Sequence, residues 1–122
     1  MVVDDEPDFV ATCERLLQRM GHASLRAHTG PEAMALIDRE KPDLVVADLR
    51  LPGADGLAVT RHARRHMPPI PVVLITAYDS PQARRAASES GADVYLAKPF
   101  SNAAFLDAVQ RVLPAKSTDG GR

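Results

Sequence analysis

Apolar residues along this chain follow two patterns that take turns. Short unbroken runs alternate with stretches in which apolar positions recur three and four residues apart. "MVVDD" opens with such a run, Val2 and Val3, and ends on acids. Over residues 7–20, Phe9, Val10, Cys13, Leu16, Leu17 and Met20 recur at helical spacing. Pro7 is tolerated in a first turn and Gly21 supplies the stop. "ASLRAHT", residues 23–29, alternates weakly and predicts a strand. Thr29 and Glu32 stand at capping-box spacing with Pro31 between them, so a second helix opens there with Ala33, Leu36 and Ile37 as its apolar stripe.

The pattern repeats. "PDLVVAD", residues 42–48, predicts a third strand, and residues 55–66 a helix that turns Leu57, Val59, Thr60 and Ala63 inward. "IPVVLITA", 70–77, is the most strand-like run. Ser80 and Pro81 open an Ala-rich fourth helix that stops at Gly91. "ADVYLA", 92–97, predicts the fifth strand. Ser101 caps a last helix carrying Phe105, Leu106, Val109, Val112 and Leu113 on one side. "PAKSTDGGR", residues 114–122, reads as a polar tail or the start of a linker.

Strand then helix, five times, with continuous apolar strands, implies an α/β domain over residues 1–113: a parallel sheet covered on both faces. Right-handed crossovers bring the C-terminal ends of all strands to one edge, where ligands bind in open sheets of this kind.

Composition narrows the function classes. A net charge of −1 offers no bulk attraction for nucleic acid or an anionic membrane. Cys13 is the one cysteine, so no intrachain disulfide forms, which fits a reducing cytoplasm. No apolar run is long enough to span a bilayer, and the N-terminus lacks the apolar stretch of a signal peptide. Trp is absent and aromatics are few, so the core is aliphatic.

The strand ends carry the chemistry. The first ends in Asp4 and Asp5, with Glu6 beyond; the third in Asp48; the fourth in Thr76; the fifth in Lys98. The second ends at His28 and Thr29, which give no comparable signal. Clustered carboxylates repel and require a compensating cation. An all-oxygen set suits Mg²⁺, and Lys98 adds a second positive charge. A divalent ion, an ammonium and a small hydroxyl are laid out for a phosphoryl group, and a carboxylate among them can be the nucleophile. No phosphate-cradling glycine loop is present, so a nucleotide is not indicated.

Four stretches, "VVDDE", "DLRLPGADGL", "PVVLITAY" and "GADVYLAKPF", in register and in order, resemble the response-regulator receiver domains of bacterial two-component signalling. The resemblance covers residues 1–113 and implies a flavodoxin-like five-stranded parallel sheet, doubly wound, in the order 2-1-3-4-5. It implies that Asp48 accepts a phosphoryl group from a sensor histidine kinase. Asp5 would ligate Mg²⁺ directly, Asp4 mostly through water, and Asp48 and the backbone carbonyl of Arg50 would complete the set. Lys98 would contact the carboxylate and then the phosphoryl oxygens. Thr76 would hydrogen-bond the phosphoryl group, Tyr95 would turn inward as Thr76 moves, and Pro99 would be the cis proline shaping the loop that aims Lys98. Arg50 and Tyr78 would flank the path of the hydrolytic water. The output surface would be helix four, strand five and helix five, with a homodimer through that face on phosphorylation. An effector domain after Arg122 is expected, with no direct nucleic-acid contact by this domain and no membrane. Family members usually carry a few more residues in the first strand than this chain does.

Rival readings fit less well. An aspartate-nucleophile phosphatase acting on small phosphomonoesters usually has a second acid two residues after the nucleophile, where this chain has Arg50. A flavin carrier needs a Ser/Thr/Gly-rich loop where this chain has "DDEPD". His62 and His66 have metal-ligand spacing on one helix, but no third ligand is evident, and Arg61, Arg64 and Arg65 around them read as a solvated face. Cys13 reads as a small core residue.

Overall fold

A computed structural model describes residues 1–113; the expected polar tail, 114–122, lies outside the described residues. The elements run β1 (Val2–Val3), α1 (Pro7–Arg19), β2 (Arg26–Ala27), α2 (Gly30–Glu40), β3 (Val45–Asp48), α3 (Gly56–Arg64), β4 (Val72–Thr76), α4 (Pro81–Ser90), β5 (Val94–Ala97) and α5 (Asn102–Val112). The strands form one parallel sheet in the order β2-β1-β3-β4-β5, as expected.

Four helices begin on a polar residue whose side chain accepts a backbone N–H of the first turn. Thr29 accepts from Glu32 N (3.2 Å), Asp55 from Ala58 N (2.9 Å), Ser80 from Ala83 N (3.0 Å) and Ser101 from Ala104 N (3.0 Å). Glu32 also reaches back to accept from His28 N at 2.8 Å. Helix α1 lacks such a cap, and its first turn carries Pro7 instead.

Alternation along the strands splits the core in two. Val3, Ala27, Val45, Ala47, Val72 and Leu74 face α2, α3 and α4, where Ala33, Ile37, Val59, Ala63 and Ala87 are buried. Val2, Val46, Val73 and Ile75 face α1 and α5, meeting Val10, Cys13, Leu16, Leu17, Phe105 and Val109. Burial of each larger aliphatic contributes about 1.5–3 kcal/mol, which is what fixes the strand register. Cys13 is buried among them, as expected.

The strands are shorter than the apolar runs. Strand β2 is two residues where 23–29 were expected, because its only neighbour, β1, is itself Val2–Val3 and offers no further ladder. Strand β5, at the opposite edge, is half-buried along its whole length. Helix α3 begins one residue later than expected because Asp55 is its cap, and it loosens after Arg64 into a turn closed by His66 N donating to Ala63 O (3.3 Å). Phe9, Met20, Leu36 and Leu57, read as inward-facing, are half-buried at the margins. Helix α4 is lightly seated: only Ala87 and Ser90 are buried, with Ala83 and Ala86 partly covered.

Candidate functional site

The C-terminal ends of β1, β3, β4 and β5 bring Asp4, Asp48, Thr76 and Lys98 to one edge. Asp4 leaves the ladder last, its N–H donating to Ala27 O at 3.1 Å. Its Oδ1 then accepts from Glu6 N (2.9 Å), which turns the chain into α1. The carboxylate is fully buried. Lys98 Nζ donates to Asp4 Oδ2 at 3.3 Å and to Asp48 Oδ2 at 3.0 Å, and lies 3.6 Å from Glu6 Oε1. The same ammonium sits 4.2 Å from the centroid of the Phe9 ring.

Burial pushes the Asp4 carboxyl up to about 6, and the Asp48 charge acts the same way; the Glu6 N–H and Lys98 work against both. Burial also opposes the charge on Lys98, but hydrogen bonds and attraction from Asp48 and Asp4 outweigh it and hold the ammonium above its ordinary value. Two acids share one lysine, and the more buried acid ionises reluctantly.

Of the two acids that Lys98 hydrogen-bonds, Asp48 is the more accessible. Its side chain is 12% exposed against 0% for Asp4. Its Oδ1 accepts from Arg50 N at 2.8 Å, so both oxygens are oriented. Behind it, Gly56 packs against the main chain: its N–H donates to Leu49 O at 2.7 Å, and a Cβ there would collide with the Asp48 carbonyl. Thr76 is buried, and its Oγ1 accepts from Tyr78 N at 3.0 Å. Asp5 follows Asp4 on the exposed side. Lys98 N donates to Thr76 O (2.8 Å), tying β5 to β4 at this edge, and the Lys98–Pro99 peptide bond is cis, as the resemblance implied.

The donors that could hold a metal are all oxygen: the carboxylates of Asp4, Asp5 and Asp48 and the main-chain carbonyl of Arg50. Such a set suits a hard divalent ion such as Mg²⁺. A buried carboxyl pushed up to about 6 beside a second acid is also a group that a cation would stabilise in its charged form.

Around this centre lie contacts that the sequence reading did not contain. The Arg50 guanidinium lies over the Tyr78 ring, 4.2 Å from its centroid, and Tyr78 is exposed. Tyr95 is half-buried; its hydroxyl donates to Asp79 Oδ1 at 3.0 Å, and Arg84 holds both oxygens of Asp79 at 2.9 and 2.7 Å. His28, dismissed at the end of β2, has its Nδ1 3.1 Å from the Asp4 carbonyl oxygen, to which it donates in the tautomer protonated there. On the other side of the molecule, His62 and His66 do have a third partner, contrary to expectation: Asp38 of α2.

A family model described as "Response regulator receiver domain" matches residues 1–110. The chain is 39% identical over 101 residues to the alkaline phosphatase synthesis transcriptional regulatory protein PhoP of Bacillus subtilis, covering 83% of this chain and 42% of that one. It is 31% identical over 117 residues to sporulation initiation phosphotransferase F of the same organism, covering 96% and 94%. The chain spans about half the length of most of the curated relatives it matches. A solved structure of a response regulator from Burkholderia pseudomallei, with a phosphorylated aspartic acid, calcium ion and citrate, superposes with a TM-score of 0.79 at 34% identity, over 89% of this chain and 64% of that one.

Proposed function

The chain belongs to the receiver domains of two-component response regulators, and on that footing we propose that Asp48 is its phosphoacceptor. The observation that carries this reading is the position of Lys98 Nζ, 3.0 Å from the Asp48 carboxylate and 3.3 Å from that of Asp4. A lysine so held fixes the nucleophile and is already within reach of the oxygens of an incoming phosphoryl group.

An oxygen of Asp48 attacks the phosphorus of a phosphohistidine on a sensor histidine kinase. The P–N bond breaks, its electron pair returns to the imidazole, and an acyl phosphate forms. Asp4, Asp5, Asp48 and the Arg50 carbonyl would hold Mg²⁺, which would supply positive charge for the transferring oxygens. Lys98 adds its own positive charge to the same oxygens, and Thr76 offers its hydroxyl to one of them. The phosphoryl group is lost by hydrolysis: water attacks the phosphorus and gives up a proton, the P–O bond to Asp48 breaks, inorganic phosphate leaves, and the carboxylate is restored. Arg50 and Tyr78, two residues beyond Asp48 and Thr76 and stacked on each other, are assigned to flank the path of that water.

The domain catalyses only its own phosphorylation and dephosphorylation, and its product is a population shift between two conformations. Thr76 and Tyr95 couple the site to α4, β5 and α5, the face through which the phosphorylated chain pairs with a second copy. An effector domain beyond Arg122 receives the signal, consistent with relatives of about twice the length, and the whole works in the cytoplasm, away from membranes and without direct nucleic-acid contact by this domain. Among the described residues, no helix is long and apolar enough to cross a membrane. Arg50 stands where an aspartate-nucleophile phosphatase carries its second acid, so that reading lacks support.

The test is incubation with a small-molecule phosphodonor and Mg²⁺, followed by intact mass. The wild type gains one phosphoryl group and Asp48→Asn gains none. An adduct of unchanged yield in the variant overturns the assignment.

A further inference from the structure

Residues His62 and His66 lie four apart, at and just beyond the end of α3, so their side chains share one face. Both Nε2 atoms converge on one oxygen of Asp38, on α2: His62 at 2.8 Å and His66 at 2.9 Å from Oδ1. The imidazole planes stand 62° apart with centroids at 5.9 Å, so the rings diverge from a common point instead of stacking. One potential ligand atom from each of the three residues falls within 4.8 Å of the others.

We propose that Asp38, His62 and His66 form a binding site for a borderline divalent transition-metal ion, Zn²⁺ above all, that clamps α2 to α3.

The donor chemistry selects the ion. Two imidazole nitrogens and one carboxylate oxygen, with a position open to water, match Zn²⁺ and its neighbours; Mg²⁺ prefers oxygen alone. The scale fits as well. A tetrahedron with bonds of about 2.0–2.1 Å separates its ligand atoms by roughly 3.3 Å, so small side-chain rotations bring these three donors onto one ion. The site is open: the side chains of His62, His66 and Asp38 are 29%, 21% and 58% exposed, enough for an ion to enter and for water to complete its shell.

The neighbouring arginines do not close it. Arg61 and Arg65 precede the two histidines by one residue each and so point about 100° away around the helix. Arg64 reaches Asp93 at 3.4 Å, and Arg39 reaches Glu40 at 3.1 Å. The three ligands share no residue with the oxygen-lined edge where Asp48 lies, so the two sites fill independently. Because Asp38 and the histidines belong to different helices that pack on each other, an ion here stabilises the folded chain, by an amount that grows with the logarithm of its free concentration above Kd.

The experiment is a Zn²⁺ titration of the whole chain, read by calorimetry with Mg²⁺ in excess to saturate the oxygen site, together with thermal unfolding and histidine NMR signals. One ion binds per chain in the micromolar range, the melting temperature rises with Zn²⁺, and the His62 and His66 ring signals shift together while those of His22 and His28 do not. His62→Gln and His66→Gln each weaken binding by at least about tenfold, since even outer-shell partners of a metal cost that much, and Asp48→Asn leaves it unchanged. Both histidines are partly exposed, so their variants keep the fold, which circular dichroism checks. No saturable binding, histidine variants with wild-type affinity, or loss of binding in Asp48→Asn each overturns the proposal.

Discussion

The Tyr95 hydroxyl donates to Asp79 Oδ1 at 3.0 Å and so fixes a ring of the β5 edge to the loop that follows β4. Arg84 grips both oxygens of the same carboxylate, and its guanidinium carbon lies 5.6 Å from the Tyr95 ring centroid. The residue proposed to turn inward on phosphorylation is therefore tied where it stands by a named partner. The proposed inward rotation would have to break this bond, which on that reading sets part of the balance between two conformations.

Removing the partner shifts that equilibrium. One hydrogen bond contributes about 0.5–1.5 kcal/mol net, so Asp79→Ala raises the inward population of Tyr95 by roughly 2- to 10-fold. Ring signals of Tyr95 in the unphosphorylated domain report the change; signals identical to wild type mean that Asp79 does not anchor the ring.

Acid acts on the same contact. Arg84 above all, and then Tyr95, hold the Asp79 carboxyl down at about 2, below the ordinary 3.8. A depressed folded-state pKa means that the contribution of Asp79 to stability is complete above 3.8 and fades as pH falls through about 2. Carboxyl-carbon NMR titration of wild type finds the low value, and Arg84→Ala moves it back toward the ordinary range. A value insensitive to Arg84 contradicts the assigned cause.

The stacked pair Arg50 and Tyr78 is expected to affect the lifetime of the acyl phosphate more than its formation. Stacking of this exposed kind is worth about 0.5–1 kcal/mol, so Arg50→Ala with Tyr78→Ala changes autodephosphorylation by a factor of about 2–5. Single-turnover decay and small-donor phosphorylation rates measured side by side separate the two steps. Equal changes in both rates count against a role in water access.

Gly56 is constrained by its neighbours. A methyl group there meets Leu49 Cα at 2.8 Å as well as the Asp48 carbonyl, both main-chain groups that cannot swing away. Gly56→Ala is expected to cost about 1–3 kcal/mol, read as a lower urea midpoint at unchanged slope, and to slow phosphorylation by displacing Asp48. A variant of wild-type stability and rate means that the β3–α3 connection is softer than its packing indicates.

Much of this was legible in the chain. Runs such as "VVLIT" can be buried only in a sheet covered on both faces, so strand existence and the common edge follow, and with them the meeting of Asp4, Asp48, Thr76 and Lys98. The extent of β2 was not legible, because "ASLRAHT" carries no record of how short its partner is. Nor were the ties between side chains on separate elements. Asp38 lies 24 residues before His62 and Asp79 16 before Tyr95, and only the packing of helix on helix and loop on strand brings each pair into reach. Phe9 shows the limit in another way: a helical stripe reads as core, yet this ring at its margin ends beneath an ammonium.

Helix α4 sits on its neighbours through alanines, with Ala87 and Ser90 its only buried side chains. Small groups interlock poorly, so little packing energy opposes a shift of this helix against its neighbours. Enlarging those side chains would make a firmer solid and a duller instrument: the domain would tolerate more heat while answering more faintly to the arrival of a single phosphate.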